Sequence, residues 1–102
     1  MIVVGCDDFA KNLSVALDSG FVNFERRIFP DGEACPRVLD EIEKDVLLVN
    51  HMSLPIEPNR YFIETLLLIK NLHEIGAENI DVVMPYFVYS RQDKVFRNGE
   101  PF

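Results

Sequence analysis

Three short, nearly continuous apolar runs rich in β-branched residues constrain the fold of this chain more than any other feature. They cover residues 2–4, 46–49 and 80–84. Runs of this length are typical of strands that are buried on both faces of a sheet. Segments with helical spacing lie between them, and strands that alternate with helices indicate a parallel sheet with right-handed crossovers. The sequence therefore predicts an α/β fold built on a parallel sheet.

The first helix is predicted directly after the first strand. Asp7 or Asp8 can cap its amino terminus through a carboxylate, and Gly20 is the predicted stop. Its apolar residues follow helical spacing, and they are Phe9, Leu13, Ala16 and Leu17. A segment that favours β structure follows at residues 21–28, and the acidic run 40–45 is predicted to be a solvated loop or a helix end.

The second predicted helix covers residues 59–75, after Pro55 and Pro58, and ends at Gly76. Its apolar residues occupy more than one stripe of the helix surface. They are Tyr61, Phe62, Ile63, Leu66, Leu67, Leu68, Ile69, Leu72 and Ile75. Such a helix packs on the sheet with one side and on another element or another subunit with the other side. The sequence favours core packing for the second side and leaves a subunit contact open.

Composition excludes several functional classes. With 10 basic and 17 acidic residues among 102, the chain has a net charge of −7, which argues against non-specific binding to nucleic acid or to an anionic membrane. The longest apolar stretch, 66–69, is too short to span a bilayer, and the amino terminus does not resemble a signal peptide. We therefore expect a cytoplasmic protein of one domain, or part of one.

Cysteine and histidine residues give no pattern of metal ligands. Cys6 and Cys35 are isolated, so they are predicted to be small buried hydrophobic residues rather than a redox pair. His51 and His73 are too few and too far apart for a zinc site. The sequence predicts no metal site within this chain.

A polar turn lies at residues 29–33, where the sequence reads Phe-Pro-Asp-Gly-Glu. Pro-Asp-Gly is ordinary turn chemistry, and a tight turn with no further role is one interpretation. A binding site is the other interpretation. Phe29 offers an aromatic ring, and Gly32 offers a flexible backbone amide. Asp31 and Glu33 offer carboxylates that accept hydrogen bonds.

A second polar segment, residues 86–94, reads Tyr-Phe-Val-Tyr-Ser-Arg-Gln-Asp-Lys and follows the third apolar run. Ligands of parallel sheets sit at the carboxyl ends of strands, as this segment does. Arg91 can donate two parallel hydrogen bonds to a phosphate and can stack on a base. Gln92 can both donate and accept, as reading a purine edge requires. Lys94 and Arg97 add positive charge for a phosphate, although a solvated loop is the alternative interpretation.

The usual nucleotide fingerprints are absent from the sequence. It contains neither a Gly-x-x-x-x-Gly-Lys-Ser/Thr loop nor a Gly-x-Gly-x-x-Gly turn. The residues alone thus indicate an α/β domain with groups suited to a phosphorylated ligand, and they go no further.

The order of these motifs resembles the amino-terminal part of the ribose-phosphate pyrophosphokinase family, also called phosphoribosyl pyrophosphate synthetases. The likeness rests on residues 3–5, 27–33 (Arg-Ile-Phe-Pro-Asp-Gly-Glu), 46–49, 84–94 and 99–101, together with the Leu-rich helix. It implies a parallel-sheet sandwich, the amino-terminal half of a type I phosphoribosyltransferase-like enzyme. It also implies that residues 1–102 form the pyrophosphokinase domain and that the carboxy-terminal phosphoribosyltransferase-like domain is absent.

By this resemblance, the complete enzyme transfers diphosphate from ATP to ribose 5-phosphate with Mg²⁺, releasing AMP. The turn residues would bind the adenine and ribose end of ATP, from a neighbouring subunit of a homo-oligomer: Phe29, Asp31, Gly32 and Glu33. Arg91 and Gln92 would hold the nucleotide from the other side, with Lys94 and Arg97 as phosphate contacts.

The family's catalytic loop, metal-binding histidine and ribose-phosphate loop come later in its chains. The resemblance therefore implies no catalytic residue and no magnesium ligand among these 102 residues, and we expect the isolated chain to be inactive. Two other interpretations stay open. One is a non-catalytic relative that assembles with the enzyme and regulates it, and the other is a free-standing nucleotide-binding module.

Overall fold

A five-stranded sheet with one helix on each face forms the part of the chain that a computed structural model describes, residues 1–51, 57–86 and 97–100. The elements in chain order are β1 Ile2–Gly5, α1 Asp8–Ala16, β2 Gly20–Glu25, β3 Arg37–Val38, β4 Asp45–Val49, α2 Pro58–Glu74 and β5 Asn79–Val83. The predicted α/β class is confirmed.

The strand order across the sheet is β3-β2-β1-β4-β5. β1 pairs in parallel with both β2 and β4, and β4 pairs in parallel with β5. The chain therefore leaves β1 toward one side of the sheet and leaves β4 toward the other, so a topological switch point lies between these strands. The short β3, which pairs antiparallel to β2, was not predicted, because its two residues carry no periodic signal.

Successive side chains of each strand point to opposite faces of the sheet, so alternate residues face α1 and α2. On the α2 face, Val4, Val46 and Leu48 are fully buried or nearly so and pack with Leu68 and Leu72 of the helix. On the α1 face, Val3 and Val49 pack with Ala10. The sheet is thus the middle layer of a sandwich, as the sequence predicts.

The apolar positions at helical spacing in α1 mark its packed face only in part. Leu13 is half-buried and packs against the core on this side of the sheet, but Phe9, Ala16 and Leu17 are exposed, and the fully buried residues of the helix are Ala10 and Ser14. The helix lies too close to β1 for large side chains, because a Cβ placed on Gly5 would come within 2.2 Å of the Ala10 Cβ.

The predicted stop of α1 at Gly20 is wrong, because Gly20 is the first residue of β2. The chain reverses direction at Asp18, which has a positive φ of 51°. Asp residues tolerate this left-handed conformation better than most others. The predicted cap is confirmed at Asp7, whose Oδ1 accepts a hydrogen bond from Ala10 N at 2.9 Å.

α2 begins and ends within one residue of its predicted bounds, and Gly76 follows it with a φ of 121°. Its sheet-facing residues include two polar ones, Glu64 and Thr65, beside Tyr61, Leu68 and Leu72. The opposite side carries large apolar side chains that are more than a third exposed. They are Phe62, Ile63, Leu66 and Leu67.

The third predicted strand is confirmed, but its burial was predicted wrongly. β5 lies at an edge of the described sheet, and its residues are half-buried or exposed, with Val82 38% exposed. Its apolar composition alone does not distinguish an edge strand from a central one. Among the helices of the described ranges, none is long and apolar enough to cross a membrane.

Candidate functional site

The predicted polar turn lies at the tip of an irregular hairpin that extends beyond the carboxyl end of β2. We call residues 27–35 the arm. Its two sides are joined by a hydrogen bond from Cys35 N to Arg27 O at 2.8 Å and by a β-bridge between Ile28 and Ala34. At the tip, Phe29 N donates to the carbonyl oxygen of residue 33 at 2.9 Å. These backbone hydrogen bonds give the turn at the tip of the arm a fixed backbone conformation.

The turn itself is closed by Gly32, whose N–H donates to Phe29 O at 2.8 Å and whose φ of 94° favours glycine. The amide that the sequence offered as a flexible donor is therefore used inside the turn. The ring of Phe29 is 46% exposed, and the side chains of Asp31 and Glu33 are exposed too. An aromatic face and two carboxylates are presented together to solvent.

The two carboxylates at the tip influence each other. Asp31 Oδ1 accepts a hydrogen bond from Glu33 N at 3.0 Å, and this bond holds the pKa of Asp31 below its ordinary value. Hydrogen bonding with the Asp31 carboxyl raises the pKa of Glu33. Glu33 is therefore the first of the pair to take up a proton as the pH falls, and Asp31 keeps its charge longer.

A cleft of about 300 Å³ separates the arm tip from the first turn of α2. Gly32, Glu33 and Ala34 line one side, and the other side consists of helix residues that include Asn59 and Arg60. Nη2 of Arg60 lies 3.9 Å from the position that a Cβ on Gly32 would occupy. The turn and the amino-terminal end of α2 thus approach each other in one chain.

A buried polar network lies where the arm leaves the sheet. Nε of Arg26 donates to both carboxylate oxygens of Glu64, at 3.0 and 2.9 Å, and its Nη2 donates to Asn50 Oδ1 at 2.9 Å. Nδ2 of Asn50 donates to Thr65 Oγ1 at 2.7 Å, and that hydroxyl donates to Tyr61 O at 2.9 Å. The Tyr61 hydroxyl donates back to Asn50 O. The network joins the carboxyl ends of β2 and β4 to α2.

The charges in this network are paired. Burial is the largest single influence on the pKa of Arg26 and lowers it. The hydrogen bonds to Glu64, together with the charges of Cys6, Glu64 and Asp7, outweigh burial, so the pKa of Arg26 is raised. Burial raises the pKa of Tyr61 to about 12, so its hydroxyl stays a donor. Among the described residues, no buried side-chain nitrogen or oxygen lacks a hydrogen-bond partner.

The switch point between β1 and β4 brings Asp7 and His51 together. Nδ1 of His51 lies 3.1 Å from Asp7 Oδ2, and the imidazole nitrogen must donate because a carboxylate only accepts. The ring of Phe9 stacks on His51 with centroids 5.2 Å apart. Nearby, burial raises the pKa of the half-buried Cys6 thiol to about 11, which agrees with the prediction that Cys6 has no redox role.

The predicted phosphate-binding residues are mostly outside the described part of the chain. Arg91, Gln92 and Lys94 fall within residues 87–96, so their placement relative to the arm stays a prediction. Arg97 is described: its side chain is 87% exposed, and its Nε lies 3.7 Å from Glu100 Oε1.

Sequence reasoning missed the network at the base of the arm. One signal was present, because Glu64 stands on the same helical stripe as Tyr61 and Leu68. A carboxylate on a buried stripe requires a cationic partner. Nothing local identified that partner as Arg26, which lies 38 residues earlier in the chain.

These features define an α/β protein whose polar groups collect beyond the carboxyl ends of parallel strands, as in ligand-binding doubly wound sheets. Residues 2–102 match the family described as the N-terminal domain of ribose phosphate pyrophosphokinase. The chain belongs to this family, and the resemblance seen in the sequence is confirmed.

Individual relatives agree with the family match. The chain is 35% identical to a ribose-phosphate pyrophosphokinase of Methanothermobacter thermautotrophicus, covering 97% of this chain and 35% of the relative. It is 37% identical to a ribose-phosphate pyrophosphokinase of Methanobrevibacter smithii, covering 98% of this chain and 34% of the relative. The crystal structure of phosphoribosylpyrophosphate synthetase from Mycobacterium smegmatis superposes with a TM-score of 0.82 at 27% identity, covering 99% of this chain and 34% of that one. The chain thus spans about a third of the length of these relatives.

Proposed function

We propose that this chain is the ATP-binding part of a ribose-phosphate pyrophosphokinase that transfers diphosphate from ATP to ribose 5-phosphate. The observation that carries the proposal is the arm tip, where one closed turn presents an exposed aromatic ring beside two carboxylates. The family membership of the chain supports it. Because the chain spans about a third of its relatives, the activity is proposed for the complete protein that contains it.

In the proposed site, the ring of Phe29 stacks on the base. Asp31 and Glu33 accept hydrogen bonds from the exocyclic amine of adenine and from ribose hydroxyls, which are donors. Carboxylates repel phosphates, so the triphosphate points away from the arm tip. Arg91 and Gln92 hold the nucleotide from the other side, and Lys94 and Arg97 supply positive charge to the phosphates.

Mg²⁺ is proposed to enter with ATP, because it binds nucleotides through their phosphate oxygens. No group of three or more His, Cys, Asp or Glu side chains that could hold a metal ion occurs in the described ranges. The described residues therefore do not fit a metal site of their own, and none of their proposed roles depends on the ion. The cytoplasmic location stays a prediction.

The first prediction concerns base recognition. In the complete protein, Asp31→Asn keeps an oxygen that can accept from Glu33 N but replaces the other acceptor with a donor. We expect the preference for ATP over GTP, measured as a ratio of kcat/KM values, to fall by about tenfold or more, as for the loss of a charged hydrogen bond.

Glu41→Gln is the matched control for that variant, because it makes the same chemical change in an exposed loop outside the arm. It should leave the base preference unchanged. If the wild-type protein forms no phosphoribosyl pyrophosphate from ATP and ribose 5-phosphate, the proposed function is wrong. If only the base preference is insensitive to Asp31→Asn, the role of that carboxylate is wrong.

The proposed site is shared between subunits of a homo-oligomer, and the outer side of α2 supports this arrangement. Ile63, Leu66 and Leu67 form an apolar stripe on that side, each between 39% and 49% exposed. The stripe begins beside the arm, since Ile63 also lines the cleft at Gly32. A second copy that covers α2 therefore comes close to the arm tip as well.

The second prediction tests this contact. Leu66→Lys places a charge in the stripe without touching the core, so we expect a smaller assembly in sedimentation velocity at equal protein concentration. Val15→Lys is the matched control, because Val15 is 74% exposed on α1, on the opposite face of the sheet. Identical sedimentation of both variants and the wild type would contradict a subunit contact through α2.

A further inference from the structure

No residue of the arm is fully buried, and only Gly32, Ala34 and Cys35 are half-buried. Ile28 and Phe29 are both more than 40% exposed, and the tip carboxylates lie in solvent. Hydrogen bonds within the arm fix its internal shape, but they do not fix its direction relative to the sheet. Segments with little buried apolar surface have low local stability. The base of the arm is therefore the place where the direction of the tip can be fixed.

Arg26 is the residue at that base. It follows β2 directly and precedes the arm, and its side chain is only 17% exposed. Its guanidinium makes bonds to two other elements at once. Nη2 lies 2.8 Å from Glu64 Oε1 of α2 and 2.9 Å from Asn50 Oδ1 at the end of β4.

The partners of Arg26 are themselves immobilised. Glu64 is 1% exposed and Asn50 is fully buried, and Thr65 and Tyr61 hold Asn50 from the helix side. A guanidinium has a planar fork of donors that engages a carboxylate through two parallel bonds, and an ammonium does not. The contact therefore restricts the orientation of Arg26 as well as its distance from α2.

We propose that Arg26, held by Glu64 and Asn50, is a positioning residue that aims the arm so that its tip can receive the nucleotide base. This inference rests on the proposed function and adds to it a residue that does not touch the ligand. It also explains why a charged pair occupies the core-facing side of α2, where apolar residues of similar size can be as stabilising. The hydrogen bonds of the ion pair fix the direction of the arm relative to the sheet. Apolar packing is not directional and would fix that direction less well.

The arm and the outer side of α2 are linked through this contact. Glu64 anchors Arg26 from the inner side of the helix, while Leu66 and Leu67 of the same turns face outward. A subunit that docks on α2 thus meets an arm whose direction is set by the same helix. The tip is presented to a neighbour in a fixed geometry.

Arg26→Lys is the variant that tests this role, since it keeps the positive charge and removes the fork. We expect amide order parameters from ¹⁵N relaxation to fall for the tip residues that carry an N–H, Phe29 and 31–33, from about 0.85 to below about 0.6. Values for strand residues such as Val4 and Leu48 should not change. In the complete protein, the KM for ATP should rise by about tenfold, while kcat and the KM for ribose 5-phosphate stay within about twofold.

Arg37→Lys is the matched control, because it makes the same substitution at an exposed position on β3. It should change neither the order parameters nor the KM. Glu64→Gln is the second variant: it keeps the volume of the side chain, removes its charge and should reproduce the effects of Arg26→Lys. If either variant lowers order equally in the strands, or raises both KM values together, Arg26 has a general structural role and the inference is overturned.

Unchanged order at the arm tip in both variants would overturn the inference as well. The two proposals can fail separately. A wild-type protein that does not use ATP contradicts the proposed function, while the order parameters of the same variants still decide whether Arg26 holds the arm.

Discussion

The free energy of unfolding is expected to fall by about 3–5 kcal/mol when Glu64 is replaced by alanine. The carboxylate is 1% exposed and receives the guanidinium of Arg26 through bonds of 2.8 to 3.0 Å. Its removal leaves a largely buried positive charge without its carboxylate, and the hydrogen-bonded Asn50 also loses a partner at 3.3 Å. Urea denaturation followed by circular dichroism measures the change.

Two comparisons isolate the cause of that loss. Glu74→Ala removes a carboxylate from the same helix at a position that is 61% exposed, and it should change the free energy of unfolding by no more than about 0.5 kcal/mol. Replacing Arg26 and Glu64 together by Leu should restore most of the stability, because a buried ion pair exchanged for apolar residues is often neutral. Equal losses from Glu64→Ala and Glu74→Ala would show that the buried pair contributes nothing.

The strands could be predicted because each apolar run is short and ends at a turn signal. β1 and β4 match the runs 2–4 and 46–49 within one residue, and their central positions account for their burial. β5 has a similar apolar composition but lies at an edge, and its own residues do not indicate its position in the sheet. The order of strands in the sheet depends on crossovers between distant segments, and this order decides which strand lies at an edge. The predicted burial was therefore right for the central strands and wrong for β5.

α1 shows why helical spacing alone can indicate the wrong face. Its large apolar residues follow the expected period, yet only Leu13 among them packs on the sheet, and the fully buried residues are Ala10 and Ser14. The deciding quantity is the distance between helix and strand, which a missing Cβ at Gly5 makes short. That distance depends on tertiary packing, so it cannot be predicted from the spacing of apolar residues in the helix sequence.

In the candidate site too, the local feature could be predicted from the sequence and the long-range feature could not. The turn at 29–33 could be predicted because Pro-Asp-Gly chemistry is local. The network of Arg26, Asn50 and Glu64 joins residues 14 to 38 positions apart, and only the folded sheet brings them together. Family resemblance predicted the ends of the proposed site, but Arg26, which joins the arm to the fold, is recognisable only in the folded chain.

Gly5→Ala should lower the free energy of unfolding by about 3 kcal/mol, at the upper end of the usual cost of overpacking. The added Cβ would stand 2.2 Å from the Ala10 Cβ and 3.3 Å from Val49 O, in a buried position. Neither neighbour is the end of a flexible side chain, so α1 must move away from the sheet as a whole. Asp7, which caps α1 and holds His51, moves with it. Urea denaturation measures the cost.

Gly20→Ala is the matched control for this variant, because it adds the same methyl group to a strand of the same sheet. Its Cβ would meet only the side chain of Ile2, at 3.4 Å, so the free energy of unfolding should change by less than about 1 kcal/mol. A second change tests the mechanism. Ala10→Gly, which alone costs about 1 kcal/mol in a helix, should make the Gly5→Ala protein more stable by removing the clash. If Ala10→Gly instead adds its own cost to that of Gly5→Ala, close approach of α1 is not the reason for glycine at position 5.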